Sequence, residues 1–156
     1  MKGTWRAFCL LVVVCISVPP VIRMFAVQTG DLAEDERTVI GSIRSINTAE
    51  AYYAKEYKAG FSPTLAALGV PPEGTKPSPA AAGLLDNNLT NGTKANHVFT
   101  YRAGKPDVSG KISTYTLSVR PVKWHQGLWN FFDDESRIIR GTKENRAATV
   151  SDPPLQ

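Results

Sequence analysis

Cysteine is confined to two positions, Cys9 and Cys15, and none follows in the remaining chain of 156 residues. That excludes a disulfide framework, a Cys-ligated zinc site and a cysteine nucleophile from the region after residue 30. Six residues apart on a helix, the two thiols point about 120° apart and do not pair; they read as small apolar side chains. Histidine is scarce as well. His97 and His125 are the only two, and neither belongs to a pattern such as H-E-x-x-H or accompanies a G-x-S-x-G elbow. The sequence therefore offers no catalytic motif, no cofactor-binding motif and no metal-ligating cluster. Acidic residues are missing from the first 30 positions, where Lys2, Arg6 and Arg23 stand alone. From Asp31 onward, 15 of the 18 basic residues face all 14 acids. The overall charge of +4 thus belongs to the N-terminal segment, and with no basic cluster elsewhere there is no footprint for nucleic acid. No pattern for a small-molecule substrate appears.

What is present begins with an apolar run. "AFCLLVVVCISVPPVI", Ala7 to Ile22, holds 16 uncharged residues behind two basic ones. As a helix it spans ~24 Å, short of a ~30 Å hydrocarbon core, and "MFAV", Met24 to Val27, lengthens it if Arg23 snorkels to the interface. Residues 1–30 read as a membrane-targeting element. Small residues at Cys15, Ile16 and Ser17 suit a leader cut only loosely, Pro19 disfavours it, no A-x-A occurs, and Val14 before Cys15 spoils a lipobox. The favoured reading is a single retained anchor, with Lys2 and Arg6 on the cytoplasmic side of an inner membrane and the following domain facing the periplasm or cell exterior.

Residues 31–150 are expected to form one domain, since some 126 residues after the anchor bury one modest core. Asp31 followed by Glu34 suggests a capping box, Asp35 and Glu36 favour the helix dipole, and a helix is expected from about Leu32 to Gly60. Val39, Ile43, Ile46, Tyr53 and Tyr57 fall on one face as its core or assembly face. Glu50 interrupts that stripe and is expected to be held by a salt bridge or hydrogen bond at the core edge. Ser62 followed by Pro63 reads as the cap of a short helical turn closed by Gly69. "VPPEGTKPSPAA" reads as an exposed loop, and Leu84, Leu85 and Leu89 suggest a further helical turn. From Asn96 the period becomes two: "HVFTYRA", "STYTLSVRP" and "LWNFFDDESRIIRG" predict a three- or four-stranded antiparallel sheet, the last segment folding around an acidic turn at Asp133, Asp134 and Glu135. That turn reads as solvated rather than as a calcium loop, whose ligand spacing it lacks. Asn88 and Asn91, in "NLT" and "NGT", fit the N-glycosylation acceptor pattern, with turn residues as the other reading. Trp124 and Trp129, flanking Gly127, read first as helix-to-sheet packing, with partner contact the alternative. Residues 151–156 read as a flexible tail. The expected fold class is α+β.

The long-helix segment "SIRSINTAEAYYAKEYKAGFSPTLAALG", the stretch "AGLLDNNLTNGTKANHVFTYRAG" and the terminal "FFDDESRIIRG", behind a membrane-targeting N-terminus, resemble type IV pilin-like proteins and pseudopilins. The resemblance spans roughly residues 36–154. It implies a helix that serves as spine of the head and as packing element of a filament, a sheet laid against the helix's C-terminal half, and Tyr53 and Tyr57 beneath that sheet. Its implied partners are the inner membrane and other pilin-like subunits or assembly proteins.

Two features depart from the family pattern. Gly3 is followed by "TWRAF", so Phe8 stands where a glutamate follows the usual cut, and no cysteine closes a C-terminal loop. The resemblance implies a minor pilin or pseudopilin of a type IV pilus or type II secretion-like filament. The departures favour as alternative a membrane-tethered interaction module that does not polymerise.

Overall fold

A computed structural model describes residues 33–155; the expected anchor, the cap at Asp31 and the predicted start at Leu32 lie outside them. The first element, helix α1, runs Glu34–Tyr57. Glu34, Asp35 and Glu36 place three acids in its first turn, where unpaired N–H groups favour negative charge. The closing contact at this end comes from Glu36, whose Oε2 accepts the Ala33 N–H at 3.0 Å. Glu34, expected as the capping partner, is instead the first helical residue. At the other end Lys58 takes the left-handed conformation at φ 57° and its N–H reaches the Ala54 carbonyl, so the helix stops short of Gly60. Gly60 serves a close approach of two backbones instead. At φ 79° it lies so near Ile112 that a Cβ would overlap the Ile112 carbonyl.

One face of α1 is apolar and buried. Val39, Ile43 and Ile46 are inaccessible, Tyr53 nearly so, and Ile40 and Ala49 widen the stripe. Tyr57 is half-buried at the helix end, its ring 4.8 Å from that of Tyr53. A 3₁₀ turn, Leu65–Leu68, follows, capped by the Thr64 side chain accepting the Ala67 N–H. The expected cap, Ser62, is engaged elsewhere. Helix α2, Asn87–Thr90, is a single turn capped by Asp86, shorter than Leu84 and Leu85 suggested.

The sheet has five strands rather than three or four: β1 (Thr93–Lys94), β2 (His97–Ala103), β3 (Tyr115–Pro121), β4 (Asn130–Asp134) and β5 (Arg140–Thr142). All neighbours are antiparallel, in the order β1-β2-β3-β4-β5. The extra member is β1, whose two residues are too short to show a period. Register places Phe99 beside Val119 and Tyr101 beside Leu117, and then Val119 beside Phe131 and Leu117 beside Asp133. These residues share the inner face, which meets the stripe of α1; Thr100, Arg102, Thr116, Ser118 and Phe132 lie on the opposite face.

The last residues are not a loose tail. The Leu155 N–H reaches the Ile139 carbonyl, the Gly141 N–H reaches the Pro153 carbonyl, and Leu155 packs on the core. Asp152 is buried and takes both Arg146 Nη1 and Nη2 together with the Thr149 N–H. Gly141 is required here, because a Cβ would lie 2.9 Å from both Leu155 and Trp129. The C-terminus therefore covers the β5 edge.

Ile46→Ala should lower unfolding free energy by about 3 kcal/mol, the cost of a cavity at a closed core site. Tyr52→Ala, further along the same helix and 61% exposed, should change it by less than about 0.5 kcal/mol. Urea denaturation of the two variants measures both; coincident midpoints would reject this helix register.

Candidate functional site: the polar seam between helix and sheet

The apolar stripe of α1 carries two polar residues one turn apart, Asn47 and Glu50, and both are buried. Glu50 is 1% exposed and makes no ion pair among the described residues, so it sits inside the core rather than at its edge. Its carboxylate is held by the chain that follows the helix. The Ser62 N–H donates to Oε2 at 2.8 Å and the Ser62 hydroxyl to Oε1 at 2.5 Å. Tyr101, from β2, closes the group by donating its hydroxyl to the Ser62 carbonyl at 2.9 Å. Burial raises the Glu50 pKa against the lowering effect of the Ser62 bonds. The same burial, with the Glu50 charge nearby, pushes the Tyr101 hydroxyl far above the ordinary tyrosine value.

Asn47 bridges to the second half of the seam. Its Oδ1 accepts the Tyr115 hydroxyl at 2.7 Å and its Nδ2 donates to Asp133 Oδ1 at 3.3 Å. Tyr115 stacks on Tyr101, ring centroids 5.5 Å apart, so the two halves are contiguous. Asp133 is 0% exposed, and its Oδ2 has no partner among the described residues. Burial raises its pKa to about 7, with the Asn47 bond acting the other way and Asp134 adding to the rise. This corrects the reading of Asp133 as part of a solvated turn: β4 ends at Asp134, and the exposed part of the turn starts at Glu135. The pattern of "NFFDD" carried the signal, since Phe131 in the core puts Asp133 on the same face.

The three acids of that turn do not converge. Asp133 points inward, Asp134 Oδ1 accepts the Ser136 N–H, and Glu135 is exposed. Among the described residues, no group of three or more histidine, aspartate or glutamate side chains is placed to hold a metal. Ser62, beside a carboxylate and a tyrosine, has the residue types of nucleophilic chemistry but is 0% exposed. Its hydroxyl is committed to holding the chain onto α1.

Trp129 is not a surface contact. It is 5% exposed within the core, its backbone N–H donates to Glu36 Oε1 at 2.8 Å, and Lys143 Nζ lies 5.0 Å from the ring centroid. Trp124 is half-buried with its indole N–H enclosed, so it does not stand out from the surface either. His97 is buried on the inner face, its Nδ1 2.7 Å from the Ala95 carbonyl, while His125 is exposed. Both border a cleft of about 750 Å³ at the start of α1, together with Asp35, Val122, Lys123 and Leu128. Of the candidate residues, Val39, Ile43, Ile46 and Tyr53 meet in the core next to the seam. Asn47, Ser62, Tyr101, Tyr115 and Asp133 complete it; sequence reasoning weighs Asp133 only as part of the acidic turn and singles out none of the other four as a site residue. Among the described residues, no helix is long and apolar enough to cross a membrane.

The buried carboxylates of the seam contribute to the pH dependence of stability, Glu50 in the same direction as Asp133. Asp133 binds its proton more tightly folded than unfolded, so the stability due to that proton is full below about pH 4 and is lost as pH rises to about 7. Melting temperature should therefore fall by several degrees between about pH 4.5 and 8. Asp133→Asn, which keeps the shape and cannot ionise, should flatten most of that slope in thermal scans; an unchanged slope would place the titrating group elsewhere. Glu50→Ala strands two buried Ser62 donors and should cost about 3 kcal/mol. Ser62→Ala should cost less, and a denaturation double-mutant cycle should return a coupling well above the roughly 0.5 kcal/mol seen for independent sites. Comparison with protein-family models, curated proteins and solved structures yields no match to this chain.

Proposed function

We propose that the chain is a membrane-anchored pilin-like subunit, a minor pilin or pseudopilin that accompanies or initiates assembly of a type IV pilus or type II secretion-like envelope filament. The observation that carries this reading is the position of α1. This helix of 24 residues, about 36 Å long, lies with one face against an antiparallel meander and starts at Glu34, in the sequence shortly after the basic-flanked apolar segment that ends between Ile22 and Val27. A head built this way would hang its sheet on the helix that follows its tether. The sequence resemblance over residues 36–154 supports the same reading, as does the absence of a catalytic motif.

A second reading draws on the first 30 residues. Phe8 supplies no charge for a neighbouring subunit's new amino terminus, and Pro19 and Pro20 in the sequence disfavour a continuous helical spine, since a proline in a helix interior costs about 3 kcal/mol. These features favour a head that stays tethered and binds assembly proteins without forming the bulk of a filament. Both readings place the domain outside the inner membrane.

Fractionation and intact-mass measurement test the proposal. The expected species is found in the membrane fraction with residues 1–30 still attached. A soluble species would overturn the anchor. A species lacking Met1 to Gly3 and bearing an N-methyl group, abundant in sheared fibres, would overturn the accessory role in favour of a main filament subunit.

A further inference from the structure

The two edges of the sheet are treated differently. The β5 edge is covered by the C-terminal segment, through the Leu155-to-Ile139 and Gly141-to-Pro153 bonds. At the other edge β1 has two residues and β2 has seven. Even-numbered residues of β2 bond toward β3, as the Gly104 N–H to Thr114 carbonyl and Val122 N–H to Asn96 carbonyl contacts fix. Odd-numbered residues therefore point the other way. The Phe99 N–H meets the Gly92 carbonyl at 2.8 Å, and there the cover ends. Among the described residues, no backbone partner meets the outward N–H and C=O groups of Tyr101 and Ala103. Beside Tyr101 lies a shallow groove of about 320 Å³ lined by Pro63, Thr64, Leu65, Asn91, Gly92 and Phe99.

We propose that this open edge of β2 takes up an extended segment of a partner protein that carries a carboxylate flanked by small apolar side chains. A strand laid against Tyr101 and Ala103 satisfies their four outward backbone groups. Side chains opposite those two residues point to the inner face, and the one opposite Tyr101 meets the groove lined by Pro63 and Leu65, which suits a small apolar group. The residue between them points to the outer face beside Arg102, which is exposed and makes no ion pair among the described residues. A carboxylate belongs there, because opposite charges on facing positions stabilise a strand pair.

A second copy of this edge does not fit. Twofold pairing with Tyr101 opposite the second copy's Tyr101 brings Ala103 against the second copy's Phe99, whose outward N–H is already taken by Gly92. Shifting the register to put Tyr101 opposite Ala103 sets Arg102 directly against Arg102 of the second copy, at a Cα separation of about 4.5 Å. One register meets β1 and the other meets like charge. The partner strand is therefore a different segment.

The test uses the full chain in detergent and the capped peptide acetyl-Thr-Val-Asp-Val-Thr-amide, followed by amide hydrogen exchange. Millimolar peptide should slow exchange at Tyr101 and Ala103 at least tenfold. Ala103→Pro removes one outward N–H and leaves the β3 ladder intact, since an edge strand tolerates proline at such a position; it should abolish the protection, whereas Ala103→Val should keep it. Arg102→Glu should weaken the peptide at least tenfold and favour its lysine-centred analogue. Unchanged exchange at millimolar peptide, or binding that survives Ala103→Pro, would overturn the proposal. Protection of the same amides that rises with protein concentration without peptide would assign the edge to a second copy and overturn it as well.

Discussion

The carboxylate of Glu50 organises more of this molecule than any other single group. By holding the Ser62 N–H and hydroxyl, it turns the chain back against the helix it has just left. The strand-like contact of Ala59 and Phe61 with Ile112 follows from that turn, as does the position of Thr64 as cap of the 3₁₀ turn. The 3₁₀ turn delivers Leu65 and Leu68 to the core, and the Leu68 carbonyl then receives the N–H groups of Leu84 and Leu85. The connection from Ser62 to Leu85, with little regular structure of its own, is thus tied in sequence to one buried acid. An aliphatic residue at position 50 would fill the stripe of α1 and leave that connection without an anchor.

Three buried acids meet the same helix–sheet interface with different degrees of satisfaction. Glu36 accepts from the backbone N–H groups of Trp129 and Ala33 and so binds the first turn of the helix to the start of β4. Glu50 accepts twice from one residue. Among the described residues, Asp133 has one long side-chain hydrogen bond, from Asn47. A buried carboxylate is tolerated in proportion to the donors that replace water. The interface is therefore well satisfied at the two helix-borne acids and poorly satisfied at the strand-borne one.

The stripe Val39, Ile43, Ile46 and Tyr53 is legible in the sequence because four apolar residues at helical spacing have no competing explanation. The strands β2, β3 and β4 are legible from alternation, and the two-residue β1 is not, since nothing periodic fits in two positions. Helix ends are harder to place for a physical reason: glycine is the usual left-handed terminator, yet Lys58 adopts that conformation while Gly60 is needed for close approach to Ile112. Ser62 and Pro63 look like a helix start by local rules, and the long-range demand of Glu50 overrides them. The acidic run at Asp133 looks like one solvated unit when charge is weighed above period. The C-terminal residues look loose because their order depends on partners distant in the chain, Ile139 and Gly141 for Leu155 and Pro153, or on an Arg146–Asp152 pair that no periodicity displays.

The meander order of the sheet has a kinetic meaning. Every strand pairs with its sequence neighbour, so the sheet assembles by short loop closures, which are fast. The helix does not share this economy. Its contacts reach Trp129, 93 residues from Glu36, and Asp133, 86 residues from Asn47. During synthesis α1 emerges first and its docking surface is completed last, so a nascent chain carries the bare Val39, Ile43 and Ile46 stripe until β4 arrives. Whatever shields that stripe in the interval governs how much of the chain reaches its folded state.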